Sequence, residues 1–223
     1  MVWKIDYVQK NKFSRPGTKL DDVDGIIMHW TGNKGATDEG HQDFFDGSDG
    51  GGSRYAGAHL FIDKDSSTLI IPLDEVAYHA NDKPNRIAKL GKNANFTTIG
   101  VELCVEKDGT IHPKTIDRAV QDVAKLCKMF KLTASDIYRH YDVTHKNCPA
   151  PWVANPSAFT MFKVRVAKAL RPKPTALYHI VKARDSVSEL ADKYHVTIAS
   201  IVKLNNLKAN GNLIFIGQKL RIK

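Results

Sequence analysis

Arg171-Pro172-Lys173-Pro174-Thr175 divides the chain into two unequal parts. Neither proline has a backbone N–H to donate, and a basic residue stands between them, so the segment cannot continue a helix and favours an extended path. Just before it, residues 156–170 carry Phe159, Phe162, Val166 and Leu170 at spacings of three and four, the period of a helix with one apolar face. We expect a first domain over residues 1–170, a proline-rich linker over 171–177 and a small module over 178–223.

The first domain reads as alternating strands and helices. Residues 25–30 form a short apolar strand, and residues 37–46 a helix with Thr37 as its N-cap. Residues 47–57 (GSDGGGSRYAG) are a loop by composition. Strands are expected over 58–63 and 68–72, followed by a polar, loop-like stretch over 81–95. Residues 98–105 (TIGVELCV) form an apolar, central strand, and a turn follows at Asp108-Gly109. Residues 113–130 predict an amphipathic helix with Ile116, Val120, Val123, Leu126, Cys127 and Phe130 on one face. The fold class is therefore α/β, a mixed central sheet flanked by helices.

Residues 178–223 predict a βααβ unit. The 178–181 strand comes first. Ser186 caps a helix with Val187, Leu190, Ala191 and Tyr194, and Thr197 caps a second with Ile198, Ile201, Val202 and Leu204. A strand over 216–222 closes the unit.

Charge and composition exclude several classes. Hydrophobic residues make up 42% and charged residues 26%, which rules out a disordered or collagen-like chain. No apolar run approaches the roughly 20 residues of a membrane span. The net charge is +9, and residues from Arg171 onward hold ten Lys/Arg against three Asp/Glu. A basic module of this kind is drawn to polyanions such as nucleic acid, an anionic membrane or an anionic cell wall. The basic residues are scattered and not interleaved with aromatics in a stripe, so specific nucleic-acid binding is not expected. The first residues, MVWKIDYVQKNKF, lack the apolar core of a secretory signal, and the expectation is synthesis in the cytoplasm. Three cysteines are an odd count, which favours free thiols or a metal ligand over a disulfide framework.

Nine histidines are candidates for chemistry. His29 closes the apolar run IIMHW, and His140 follows a short strand, with Cys148 eight residues later. Two histidines and one cysteine would leave the fourth position of a zinc ion open, the catalytic arrangement. Spacing alone favours the plainer alternative, a free buried cysteine and two unrelated histidines.

The ordered motifs IIMHWTG, AHLFID, YHA, IGVELC and RHYDVTHKNCP, over about residues 20–153, closely resemble the type 2 N-acetylmuramoyl-L-alanine amidases. That family includes phage endolysins, bacterial autolysins and peptidoglycan recognition proteins, and the likeness is greatest to amidases of phages infecting Bacillus-type hosts. The resemblance implies one zinc ion held by His29, His140 and Cys148. It also implies Glu102 as the catalytic carboxylate, where apolar strand neighbours would raise its pKa toward neutrality. Lys146 would stabilise a developing oxyanion, an ordinary exposed lysine being the alternative. His79 would contact substrate, a loop histidine with internal partners being the alternative. The implied reaction is hydrolysis of the amide between N-acetylmuramic acid and L-alanine by a zinc-activated water. Some members carry a tyrosine before the middle-strand histidine; Ala58 stands there, which shifts acid/base work onto Glu102. His145 is a second-choice ligand. His41, His59, His112, His179 and His195 are read as ordinary structural or surface residues. The loop 47–57 is expected to border the groove.

Residues 178–223 resemble a LysM module, a binder of N-acetylglucosamine-containing polymers, through YHIV, the Leu190-Ala191 helix, VKLNNL and IGQKLRI. Arg184 stands where that family usually has glycine. Arg184, Asp185, Ser186 and Asn206 are the implied sugar contacts. Together the two resemblances imply a monomeric endolysin acting on peptidoglycan of a Gram-positive wall, held in the host cytoplasm until a holin releases it, with no membrane insertion. A sensor without catalysis usually lacks one of the ligands, whereas all three are present here.

Overall fold

The computed structural model describes residues 2–80, 82–172, 176–208 and 213–223. The central part of the expected linker, residues 173–175, lies outside them. The chain forms two compact units, residues 1–171 and 172–223.

The first unit is built on a six-stranded sheet: β1 (Lys4–Ile5), β2 (Gly25–Lys34), β3 (Leu60–Ile62), β4 (Ser67–Leu69), β5 (Thr98–Val105) and β6 (Ile137–Arg139). The spatial order is β1-β4-β3-β5-β2-β6. Strands β3, β5, β2 and β6 run parallel, whereas β4 is antiparallel to β3, which makes the sheet mixed. The expected strands over 58–63 and 68–72 are shorter, and β2 runs four residues beyond the expected 25–30. Strand β5 matches its expected span and is nearly all apolar, because both faces of the sheet are covered there.

Four longer or site-forming helices complete the unit: α1 (Asp38–Phe45), α2 (Pro113–Met129), α3 (His140–Thr144) and α5 (Pro156–Leu170), with a short α4 (Ala150–Ala154) between the last two. Thr37 caps α1 by accepting from the Gly40 N–H. Helices α2 and α5 each start with proline at the first turn, where its missing N–H costs nothing. They cover one sheet face. Ile26, Met28, Val101 and Leu103 there meet Val120, Val123, Leu126, Phe162 and Val166 in one core. Truncating a residue such as Leu126 to alanine would cost about 2–5 kcal/mol.

Alternation sends Ile27, His29 and Glu102 to the other face. Register places His29 of β2 beside Glu102 of β5, and Glu102 beside Phe61 of β3. Gly100 is on this face too. A Cβ there would lie 2.7 Å from Cγ of His79, so only glycine lets that ring stand against the strand.

The second unit contains β7 (Tyr178–Ile180), α6 (Val187–Tyr194), α7 (Ile198–Asn205) and β8 (Lys219–Arg221). Strands β7 and β8 pair antiparallel, with His179 opposite Leu220. Ser186 and Glu189 form a reciprocal capping box at the start of α6, and Thr197 caps α7. Val181, Val187, Leu190, Ala191, Ile201, Leu220 and Ile222 make its core. The α/β class and the βααβ order are both as expected.

Candidate metal centre and its cleft

His29 stands on β2, His140 opens α3 directly after β6, and Cys148 follows α3. The loop carrying Cys148 is tied back by the Tyr141 N–H, which donates to the Cys148 carbonyl at 2.9 Å. All three residues are buried, and one donor atom from each lies within 4.8 Å of the others. Nδ1 of His29 is 3.7 Å from Sγ of Cys148. Nδ1 of His140 is buried without a hydrogen-bond partner among the described residues.

The far sides of both rings are held. Nε2 of His140 lies 2.7 Å from Oδ1 of Asp82, which also accepts from the Thr144 hydroxyl at 2.9 Å. Nε2 of His29 lies 3.1 Å from Nδ1 of His79. The second nitrogen of His79 is 3.4 Å from the Thr98 hydroxyl, which donates onward to the Ala94 carbonyl. Read as donors in that order, the chain leaves Nδ1 of His29 as a lone pair. Burial holds the His29 and His79 imidazoles well below the usual histidine range, and burial also lowers His140 against the opposing pull of Asp82. Neutral imidazoles are what a metal ligand requires. Burial pushes the Cys148 thiol up to about 12, so a cation beside it is what would stabilise the thiolate. Two imidazole lone pairs, one of them on the otherwise unpartnered Nδ1 of His140, and one thiol fit a zinc ion.

The cleft that opens onto these residues has a volume of about 530 Å³. Glu102 and Lys146 line it, and Arg54, Tyr55, Ala56 and Gly57 from the Gly-rich loop form one border, as expected of that loop. Glu102 is half-buried, with Oε2 buried and unpartnered among the described residues. Burial pushes its carboxyl up to about 8, with the Lys146 charge opposing. Lys146 is exposed at the mouth.

Several expectations change. His79 lines the cleft as expected, but both its ring nitrogens face protein partners, so it also braces His29. His145 is exposed, stacks on Tyr141 and is outside the cluster. His41 is buried in the cleft wall against Phe61, with Nε2 unpartnered among the described residues, and so differs from an ordinary histidine. His59 is structural as read, bonded to the Glu75 carbonyl and the Gly100 N–H. Asp82 was not legible. It lies in a polar stretch with no periodic pattern, 58 residues from its partner.

In the second unit, Asp185 accepts from His179 at 2.7 Å and from the Lys182 N–H at 2.7 Å, and Ser186 is occupied by its capping box. Both side chains thus have partners within the module. Arg184 and Asn206 are exposed, and both have left-handed backbone, at φ +75° and +50°. The first value explains why glycine is usual at that position in the module family.

The family model for N-acetylmuramoyl-L-alanine amidase matches residues 19–151, and that for the LysM domain matches residues 179–223. N-acetylmuramoyl-L-alanine amidase BlyA of Bacillus subtilis (strain 168) is 45% identical over 193 residues, covering 78% of this chain and 52% of that protein. A probable N-acetylmuramoyl-L-alanine amidase of Bacillus licheniformis is 47% identical over 174 residues, covering 77% of this chain and 49% of that protein. The chain thus spans about half the length of the curated relatives it matches. The structure of PlyL shares the fold at a TM-score of 0.64 and 21% identity, covering 76% of this chain and 99% of that one. The chain belongs to the N-acetylmuramoyl-L-alanine amidase family and carries a LysM domain after its amidase domain.

Proposed function

We propose that this protein is a zinc-dependent peptidoglycan amidase that hydrolyses the bond between N-acetylmuramic acid and L-alanine. The observation that carries this reading is the convergence of His29, His140 and Cys148 beside Glu102 in one cleft of an amidase-family domain. A zinc ion held by His29, His140 and Cys148 would supply a Lewis acid and lower the pKa of bound water to roughly 7.

The chain's own residues account for the rest. Asp82 and His79 hold the two imidazoles in the tautomer that presents Nδ1. Glu102 accepts a proton from the attacking water, and its buried, raised carboxyl suits that role near neutral pH. Water oxygen bonds to the amide carbon, and Lys146 at the mouth offsets the charge that develops on the carbonyl oxygen. The C–N bond then breaks, and Glu102 returns the proton to the departing alanine amine. With Ala58 before His59, the acid/base work falls on Glu102.

In this reading residues 1–170 catalyse, 171–177 link, and 178–223 hold the enzyme to wall glycan, raising its effective concentration there. Arg184 and Asn206 are the exposed candidates for glycan contact. The basic second unit suits an anionic Gram-positive wall. The enzyme works as a monomer, released from the host cytoplasm at lysis.

The test uses purified Bacillus-type walls with and without chelator. New alanine amino termini without new reducing ends, abolished by chelator and restored by zinc, are expected. New reducing ends would identify a glycosidase and overturn the reading, and wall binding without either product would identify a sensor.

A further inference from the structure

The cleft has an annex that the mechanism above does not use. Thr31, Asn33, His41, Phe44, Phe45 and Arg54 enclose a second space of about 370 Å³, and four of them also line the main cleft. Two polar atoms in the shared wall, Thr31 Oγ1 and His41 Nε2, are buried and unpartnered among the described residues. Neither atom is committed to a protein partner, so both are available to hydrogen-bond a ligand group that reaches them. His41 is only 6% exposed, and its ring is stacked on Phe61 at 5.0 Å between centroids, so it is held in place. Arg54 makes no ion pair among the described residues. Phe44 and Phe45 supply apolar walls, with Phe44 half exposed.

We propose that this annex is a specificity subsite for a carboxylate-bearing residue of the stem peptide, with Arg54 as its anion partner and His41 and Thr31 as neutral hydrogen-bonding groups. The assignment rests on the amidase reading above and deepens it. Thr31 follows His29 by two residues on β2, which places it about 7 Å further along the strand. An extended peptide advances about 3.3–3.6 Å per residue, so the annex lies within reach of the second or third residue after the scissile bond. Charge decides which side of the substrate it takes. The glycan next to the scissile bond is uncharged, because the lactyl carboxyl is spent in the amide, whereas the peptide carries free carboxylates. A lone cation beside apolar walls and neutral donors therefore selects peptide over sugar.

The experiment is isothermal titration of the full chain in a Glu102→Gln background, which leaves substrate uncleaved. Two soluble muramoyl-tripeptides are compared, one with free side carboxylates and one with those groups converted to carboxamides. Binding about tenfold tighter for the carboxylate form is expected, as for one charge-assisted pair. Arg54→Gln should erase the preference and Arg54→Lys should keep part of it. Equal binding of both forms, no binding of either, or a preference that survives Arg54→Gln would overturn the subsite. Because this titration needs no turnover, its outcome is separate from that of the wall-cleavage assay, where absence of new alanine termini would remove the amidase reading itself.

Discussion

Asp82 and His140 meet at 2.7 Å, and that one contact sets how His140 faces the cluster. Asp82 is held below the usual carboxylate range by its bonds to Thr144 and His140, against the effect of burial. An ionised carboxylate accepts only, so the imidazole donates Nε2–H and keeps Nδ1 as a lone pair. His29 reaches the same state by a different route, through His79 and Thr98 to a backbone carbonyl. Asp82→Ala should therefore weaken zinc affinity by about 10–100-fold while leaving the fold intact. Competition with a chromogenic chelator reads this directly, and unchanged affinity would show that Asp82 does not orient the ligand.

Zinc should stabilise the first unit. Binding only to the folded state raises stability by RT ln(1 + [L]/Kd), about 2.7 kcal/mol at a hundredfold excess over Kd. Thermal melts with zinc and with chelator should separate clearly for the wild type and coincide for Cys148→Ala. A zinc-dependent shift that persists in Cys148→Ala would remove that cysteine from the ligand set.

Glu102→Gln should reduce kcat by about 10²–10⁴-fold with bound metal unchanged. A general base works only when deprotonated, so activity should fall as pH drops through the Glu102 pKa. In the metal-free protein that carboxyl is pushed up to about 8 by burial. Zinc loading, by placing positive charge beside it, should move the titration downward. Infrared titration of the carboxyl with and without zinc checks the sign, and an acid limb unchanged in Glu102→Gln would assign it to another group.

Arg15 and Glu75 form a two-pronged pair at 2.7 and 3.0 Å, with both side chains largely buried. Arg15 holds the Glu75 carboxyl below the usual range. The pair therefore stabilises the fold in full above the unfolded glutamate pKa of about 4.3, and this contribution is lost as pH falls through the lower folded value. Glu75→Gln should cost about 3 kcal/mol near neutral pH by leaving Arg15 unpaired. The difference in melting temperature from wild type should shrink in acid; a difference independent of pH would assign the loss to packing.

Arg184 holds a left-handed backbone that side chains disfavour. Arg184→Gly should stabilise the second unit by about 0.5–1 kcal/mol, the relief of strain exceeding the entropy that glycine adds to the unfolded chain. The melting transition of that unit should rise, and a fall would mean that the Arg184 side chain contributes more than its strain removes.

Local pattern was enough for elements whose period or caps are strong. Strand β5 is apolar apart from Thr98 and Glu102, α2 keeps a clean helical stripe, and Thr37, Ser186 and Thr197 announce the helices they cap. Residue type makes His29, His140 and Cys148 a possible donor set, since imidazole and thiol are donors zinc prefers, but it is the resemblance to the amidases that selects them over a free cysteine and unrelated histidines. What local pattern could not supply was contact across long separations. Asp82 reaches His140 over 58 residues, and His79 reaches His29 over 50. Only the stacking of β5 against β2 puts Glu102 beside His29, and only packing against Phe61 turns His41 into a buried wall of the cleft. Secondary structure is written in spacings of two to four residues, whereas the tautomer of a ligand, the pKa of a carboxylate and the shape of a cleft depend on neighbours that the chain brings together only by folding.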